Sequence, residues 1–355
     1  MAAATTLQYD KLDQGQLDKI LQEYGFVIIT GILSDKEQKE AETLLYDDLY
    51  ATLDIDTKYD HRLDSVIDRV KKGKIHWPPA SLPGIVTKGF LSTHGLPQGK
   101  CAWTLRTNEK VRQIFAGIHR TDDLVVGTDV VFFNTKPNTS KAVKLWPHAD
   151  QDTDLKVGCP NSYQGILYVY DSTTPASSNT VLLPRSWDKE YHILKTASYY
   201  SAKHEFKIEN VPDAVNREQL MKRFKEGARR IQVPAGGLLI FNSRTIHQGY
   251  PSGLRFAQPI SWEPRMYMND AARLRKLQAV YTGIATTHWG AKGEHHGASF
   301  LRPKVSKYSE DEEDCVFPMK DIVPWPLISP PDKHVKSLSM EQLLARIKPE
   351  YLPYI

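Results

Sequence analysis

Short apolar runs dominate the middle of the chain, from Leu124 to Pro264. Clusters of Gly, Pro, Asn and Ser separate these runs, which read LVVGTDVVFF, YQGILYVY, TVLLP, GGLLIF and RFAQPISW. Runs of this length with turn residues between them are typical of an antiparallel double-sheet jelly roll. The pattern therefore predicts a mainly β fold with flanking helices, whose core is a double-stranded β-helix of the cupin-like, jelly-roll kind.

Helical patterns flank this β-rich region. Leu17, Ile20 and Leu21 have the spacing of one helix face, and Ser34 with Glu37 forms the capping box of a second helix. The segment between them, GFVIITGIL, has the β-branched character of a strand. Further helical stretches are predicted at 108–118, in a charged insert at 187–228, at 269–283 and after Ser339.

These patterns are interpreted as one catalytic domain over residues 1–355. Residues 1–120 supply N-terminal helices and a Pro- and Gly-rich loop, at about 74–100, that we expect to act as a lid. Residues 121–265 form the jelly-roll core with the insert, and residues 266–355 form a C-terminal helical extension.

Composition and charge narrow the class of protein. Hydrophobic residues make up 41% and charged residues 25% of the 355 residues, which is typical of a globular chain. No apolar run approaches the roughly 20 residues of a membrane helix, and three scattered cysteines argue against a disulfide scaffold or a Cys-based zinc site. The start of the chain lacks the pattern of a secretory leader, so we expect a cytoplasmic protein without a membrane partner.

A nucleic-acid partner is not expected either. The net charge of +4 is mild, and the basic runs at 69–74 and 222–230 lack the interleaved aromatic residues of a base-stacking surface. Acidic residues are mixed into their surroundings, which is typical of solvated helix faces. A mild positive excess is compatible with a pocket for a small acid.

The motif Trp146-Pro147-His148-Ala149-Asp150 carries the first candidate chemistry. Side chains two residues apart on a strand point to the same face, so His148 and Asp150 converge. His247, at the end of the apolar strand that begins with Pro-Ala-Gly-Gly, is a third candidate ligand. Two His and one carboxylate leave one face of a metal open, which is the arrangement of non-haem Fe(II) oxygenases. The alternatives are surface residues in place of ligands, or Asp152 or Asp154 as the carboxylate.

Arg255 follows His247 by eight residues, inside the apolar run RFAQPISW. A guanidinium in an apolar strand is costly unless it is paired, and its planar fork matches a carboxylate. We therefore predict that Arg255 binds the far carboxylate of 2-oxoglutarate. A structural salt bridge or an outward-facing side chain is the alternative.

Four segments together resemble the Fe(II)/2-oxoglutarate-dependent dioxygenases of the phytanoyl-CoA dioxygenase-like group. They are YGFVIITGILS, WPHAD, NTVLLPRSW and the block PAGGLLIF with the following His and Arg. The resemblance implies that His148, Asp150 and His247 hold Fe(II) and that Arg255 binds the cosubstrate. The chain departs from this group in two ways. The spacing from His247 to Arg255 is short, and Gly249 stands where the group has a small hydroxyl residue. Asn134 is the candidate for a second cosubstrate contact, with a plain strand-end Asn as the alternative.

The resemblance also implies an activity. With Fe(II), 2-oxoglutarate and O₂, an unactivated C–H bond of a small molecule would be oxidised, and succinate and CO₂ released. Hydroxylation, desaturation and oxidative ring closure are all open, including closure of the kainoid type in natural-product biosynthesis. Halogenating relatives lack the carboxylate ligand, so Asp150 argues against halogenation. A substrate bearing carboxylates is predicted, with the candidate contacts Arg185, Arg106, Lys88 and Trp146.

Two other classes of function stay open. One is a dioxygenase that modifies a nucleic acid or a protein, which would need a long open groove. The other is a non-catalytic jelly-roll binding protein, which would be expected to lack one of the four site residues. A second metal site at His288, His295 and His296 is a further hypothesis, against the simpler interpretation of solvent-facing loop residues.

Overall fold

The computed structural model describes residues 5–57, 63–77, 89–92, 95–137, 145–150, 159–197, 206–249, 253–293, 338–347 and 349–355. The α-helices in these residues are α1 (Gln14–Tyr24), α2 (Asp35–Thr57), α3 (Leu63–Lys71), α4 (Lys100–Arg106), α5 (Glu109–His119), α6 (Lys189–Ala197), α7 (Ala214–Gly227), α8 (Asp270–Tyr281) and α9 (Met340–Leu344). The strands are β1 (Thr6–Gln8), β2 (Phe26–Thr30), β3 (Phe90–Leu91), β4 (Leu124–Val126), β5 (Val131–Asn134), β6 (His148–Ala149), β7 (Tyr163–Tyr168), β8 (Thr180–Leu182), β9 (Phe206–Lys207), β10 (Arg229–Ile231), β11 (Leu238–Asn242), β12 (His247–Gly249), β13 (Arg255–Ile260) and β14 (Trp262–Pro264).

Two sheets form the centre of the molecule. The larger has seven strands in the order β1-β2-β11-β7-β13-β5-β3, and the smaller has five in the order β10-β8-β12-β6-β9. Every pairing in them is antiparallel except the parallel pair β1-β2 at one edge. The short pair β14-β4 stands apart from both. The architecture is therefore mixed sheets with flanking helices, and the parallel edge strand is a feature that the sequence pattern did not predict.

Apolar side chains from both sheets meet in one buried cluster. Ile28, Ile166 and Phe241 of the larger sheet share it with Leu182 and Ile231 of the smaller sheet. The alternate residues of the same strands pack on the opposite face against the helices. Because β2 and β11 are buried on both faces, their sequences are continuous apolar runs rather than alternating ones.

The predicted helix ends agree with the structure. Helix α1 ends at Gly25, which adopts the left-handed conformation at φ 79° and so favours glycine. In the predicted capping box, the backbone N–H of Glu37 donates to Ser34 Oγ (3.3 Å) and the backbone N–H of Ser34 donates to Glu37 Oε2 (2.7 Å). Ser339 caps α9 in the same way, with Gln342 as its partner.

The insert at 187–228 is not helical throughout. It contains α6 and α7, and between them β9, which pairs with β6 in register His148↔Lys207. The insert therefore extends the smaller sheet beside the WPHAD motif. None of the helices found in the described ranges combines the length and the apolar character that a bilayer crossing requires.

One prediction about the distal His is wrong in its detail. His247 does not end the strand that begins after Pro-Ala-Gly-Gly, because β11 ends at Asn242. A tight turn follows, in which the backbone N–H of Thr245 donates to the carbonyl of Asn242 (2.8 Å). His247 then begins β12 in the other sheet. The turn moves the chain between sheets, and this change of sheet brings His247 opposite His148 in register.

The segment after α8 lies against β4 and β14. Thr286 N–H donates to the carbonyl of Thr128 (2.9 Å), and Ala291 N–H donates to Glu263 Oε2 (2.8 Å). The buried Lys276 Nζ donates to the carbonyl of Gly290 (3.1 Å). Backbone groups of the C-terminal extension at 284–293 thus form hydrogen bonds with the sheet region and with a buried lysine of α8.

Candidate metal centre and cavity

His148, Asp150 and His247 form a buried cluster between two neighbouring strands. Their metal-binding atoms all lie within 4.8 Å of one another. Asp150 Oδ1 lies 3.5 Å from His148 Nε2, and Asp150 Oδ2 lies 3.1 Å from His247 Nε2. The convergence of His148 and Asp150 that their spacing predicts is therefore present in the fold, and the pairing of β6 with β12 adds His247.

Both imidazoles are oriented by backbone carbonyls. His148 Nδ1 lies 3.1 Å from the carbonyl oxygen of Trp146, and His247 Nδ1 lies 2.9 Å from that of Thr245. A proton on each Nδ1 would serve these contacts and leave the lone pair of each Nε2 available to bind a metal ion. The ring of Trp146 stacks on His148 at 4.6 Å between centroids, and Phe241 packs on His247 at 4.8 Å.

Asp150 is buried beside three imidazoles. Burial alone would raise its pKa, but attraction to His288, His148 and His247 holds the pKa of Asp150 well below its usual range. Gln164 Nε2 also donates to Asp150 Oδ2 (2.9 Å). Two imidazole nitrogens and one carboxylate that converge in this way form a donor set that suits a divalent transition-metal ion.

A cavity of about 410 Å³ opens onto this cluster. This is within the range of small-molecule sites. Its walls are largely aromatic and apolar, with Phe90, Phe132, Trp146, Ile166 and Phe241 among them. Phe90 comes from the segment that we predicted to be a lid. The same cavity is lined by all three residues of the cluster and by Arg255.

Arg255 presents to the cavity a guanidinium that no carboxylate side chain of the described residues pairs with. It is buried, its Nε has no hydrogen-bond partner within the described ranges, and its guanidinium carbon lies 3.9 Å from the ring centroid of Phe132. Burial lowers the pKa of Arg255, with the Tyr168 hydroxyl opposing the shift. No carboxylate side chain in the described part of the chain forms a salt bridge with it. A carboxylate ligand would satisfy this group, so the residue fits the binding of 2-oxoglutarate.

Asn134 is in register with Arg255 across the pair β5-β13. Its Oδ1 accepts the backbone N–H of Lys136 (2.8 Å), and it does not appear among the described residues that line the cavity. Trp146 does line the cavity. Lys88, together with Asp152, Asp154, His295 and His296, lies outside the described residues.

Arg185 and Arg106 are placed away from the described cavity wall. The Arg185 side chain is 61% exposed and pairs with Glu23 (2.8 Å). Arg106 is fully buried in α4, where its Nη2 donates to the carbonyls of Pro97 and Asp129 (2.9 and 3.0 Å), and burial lowers its pKa to about 9. Neither side chain is among the described residues that line the cavity, because the Glu23 carboxylate holds Arg185 and two backbone carbonyls hold Arg106.

Two residues that the sequence does not assign to this site, Gln164 and His288, lie beside Asp150. Gln164 is on β7, and a lone Gln in an apolar strand was the only sequence signal for it. His288 had been considered only as part of a second metal site. The structure places its Nε2 at 3.8 Å from Asp150 Oδ2, beside the first site.

Comparison with known proteins adds a fold and a biosynthetic relative. No family model matches the chain. "Ava biosynthesis cluster protein O" of Aspergillus versicolor is 24% identical over 245 residues, which cover 64% of this chain and 75% of that protein. The solved structure of GlcNAc Inducible Gene 2 (GIG2, DUF1479) of Candida albicans has a TM-score of 0.53 at 10% identity, and the match covers 97% of this chain and 86% of that one. The chain therefore shares its fold with that protein.

Non-haem iron enzymes are also among the structural neighbours. The epimerase SnoN, solved in complex with Fe³⁺, alpha ketoglutarate and nogalamycin RO, has a TM-score of 0.41 at 13% identity. The match covers 71% of this chain and 84% of that one.

Proposed function

We propose that this protein is an Fe(II)/2-oxoglutarate-dependent oxygenase that oxidises an unactivated C–H bond of a small molecule in natural-product biosynthesis. One observation carries the proposal. A buried cluster of two imidazoles and one carboxylate opens onto the same cavity as a buried guanidinium that forms no salt bridge with a carboxylate of the described residues. The first group suits a metal with an open face, and the second suits the far carboxylate of a keto acid.

The residues of this chain have separate tasks in that proposal. His148, Asp150 and His247 would hold Fe(II), Arg255 would bind 2-oxoglutarate, and the carbonyls of Trp146 and Thr245 keep both imidazoles in the ligating orientation. Fe(II) with 2-oxoglutarate and O₂ supplies the oxidation of a C–H bond, with release of succinate and CO₂. The chain itself positions the substrate and excludes water. We also propose that the core that holds this site is a double-stranded β-helix, and that the protein is related to the phytanoyl-CoA dioxygenase-like group.

The substrate is proposed to be a small metabolite with an apolar body. The aromatic walls of the cavity support this, since a chain of polar groups would lose its hydration there without compensation. The name of the Aspergillus versicolor relative, a biosynthesis cluster protein, supports a role in secondary metabolism. Hydroxylation, desaturation and ring closure would all use the same cofactors, and only the product would differ.

The proposal is tested by anaerobic titration of the metal-free protein with Fe(II) and 2-oxoglutarate. We expect the weak visible charge-transfer band of a chelated Fe(II)–keto-acid complex, and slow Fe(II)-dependent formation of succinate once O₂ is admitted. His148→Ala should abolish both signals. The matched control is His192→Ala, because His192 is an exposed His that also lies near a carboxylate, 3.5 Å from Asp188. Absence of the band at saturating metal and 2-oxoglutarate would overturn the proposal.

A further inference from the structure

His288 is held in a fixed place beside the metal cluster. Its segment is bonded on both sides, by Thr286 N–H to Thr128 and by Ala291 N–H to Glu263. The ring of Trp289 packs on that of His288 at 4.7 Å between centroids. The C-terminal extension thus delivers one imidazole to a centre whose other groups come from the sheets.

The Nε2 atom of His288 is buried and has no hydrogen-bond partner among the described residues. A buried polar atom without a hydrogen bond costs free energy, so the polar groups near it are its candidate partners. Asp150 Oδ2 lies 3.8 Å away, too far for a direct hydrogen bond. Catalytic hydrogen bonds are often long in the free protein and tighten in the complex that carries out the reaction.

His288 is not placed as a fourth ligand. Two donors bound to one ion at about 2.1 Å lie no more than about 4.2 Å apart. The cluster whose donor atoms all lie within 4.8 Å comprises His148, Asp150 and His247, and in the described part of the chain it does not extend to His288. The contact of His288 is with the carboxylate ligand, and on the same oxygen that accepts Gln164 Nε2 at 2.9 Å.

We propose that His288 and Gln164 are positioning residues that together hold Oδ2 of Asp150 and so fix the orientation of this carboxylate toward the metal. This inference rests on the proposed function. Oδ1 lies 3.5 Å from His148 Nε2 and Oδ2 lies 3.1 Å from His247 Nε2. Gln164 and His288 both approach Oδ2, from the side of β7 and of the C-terminal extension. One donor comes from β7 and the other from the C-terminal extension, so the metal affinity depends on a segment that carries no recognisable motif.

Metal affinity of the metal-free full-length chain tests the inference. Co(II) alone is titrated and followed by its visible ligand-field absorption, for the wild type, His288→Leu, His288→Gln and His192→Leu. We expect His288→Leu to bind Co(II) about 10- to 100-fold more weakly. His288→Gln retains a donor N–H of similar reach and should bind close to the wild type. His192→Leu removes the surface His–Asp contact and should bind as the wild type does.

A second pair of variants separates positioning from packing. Because both donors act on one oxygen, the combined variant Gln164→Leu with His288→Leu should depart from the product of the two single fold-changes. Thermal unfolding of the metal-free variants reports any loss of packing separately. Unchanged Co(II) binding in His288→Leu, or an equal loss in His288→Gln, would overturn this inference alone. A wild type that binds no metal would overturn the proposed function as well.

Discussion

The orientation of each metal-binding imidazole depends on a backbone carbonyl close to it in the chain. The two Nδ1 atoms of His148 and His247 face carbonyls only two residues earlier in the chain, so the ring orientation is a local property. Arg255 is the opposite case. Its guanidinium stacks on Phe132, from another strand, and its charge is left without a carboxylate in the described residues. Such a group is stable only with a partner, and we infer that the partner is a ligand.

Substitution of Arg255 should therefore affect cosubstrate binding more than folding. A charge-assisted bidentate pair is worth about 1.5–3 kcal/mol, so Arg255→Lys should weaken 2-oxoglutarate binding by about 10- to 100-fold. Titration of the Fe(II) protein with 2-oxoglutarate under anaerobic conditions measures this. Arg229→Lys, on the exposed strand β10, is the control and should leave the affinity unchanged. Equal affinity in Arg255→Lys would show that another group binds the cosubstrate.

Helix α4 begins on a carboxylate from another helix. Asp48, buried in α2, accepts the backbone N–H groups of Lys100 (3.1 Å) and Cys101 (2.9 Å). A Cβ at Gly99 would lie 2.3 Å from Asp48 Oδ2, so only glycine allows this approach. Burial raises the pKa of Asp48 to about 7, although the two N–H groups oppose the shift. The junction between α2 and α4 therefore contains an acid that titrates near neutrality.

This acid should make stability depend on pH. A folded pKa above the ordinary value of 3.8 means that the native state binds the proton more tightly than the unfolded chain. The contribution of Asp48 to the free energy of unfolding is fully present below about pH 4 and is lost as the pH rises through about 7. Asp48→Asn should therefore gain stability relative to the wild type between pH 5 and pH 8, on the order of 2–4 kcal/mol.

Urea unfolding at the two pH values measures the difference. Glu40→Gln, at an exposed position of the same helix, is the control and should show the same pH dependence as the wild type. A parallel pH dependence of Asp48→Asn and the wild type would contradict the assignment.

At the scale of the whole molecule, the end of the chain joins elements that are distant in sequence. Tyr351 packs edge-on against Trp103 of α4 (5.0 Å between centroids), and Tyr354 packs against Trp262 of β14 (5.7 Å). The carbonyl of Tyr354 also accepts Lys276 Nζ (3.3 Å), from α8. The last residues thus support the same β14 region that carries the His288 segment.

Loss of the Tyr354 ring should destabilise the protein. An edge-on aromatic pair is worth about 0.5–1.5 kcal/mol beyond its buried area, so Tyr354→Ala should cost about 1–2 kcal/mol in the free energy of unfolding. Tyr354→Phe keeps the ring and should be close to neutral. Denaturant unfolding distinguishes them, and an equal loss in both variants would assign the effect to the hydroxyl rather than to the ring contact.

The elements of the fold were largely predictable because their signals are local. The ends of α1 and the capping box of Ser34 follow from residues within one helical turn. The parallel pair β1-β2 and strand β9 were not predictable in this way. Strands of two or three residues carry too few side chains for a periodic pattern, and only their pairing partners define them.

The residues of the candidate site also fall into those that local sequence predicts and those that only tertiary contacts identify. His148 and Asp150 share a face because they are two residues apart, and the apolar run around Arg255 already marks a guanidinium that needs a partner. The sequence by itself determined these candidates. Only the tertiary structure decided that β12 lies beside β6, that Arg106 and Arg185 are engaged elsewhere, and that Gln164 and His288 reach Asp150. These depend on contacts between residues far apart in the chain, which periodicity and spacing do not encode.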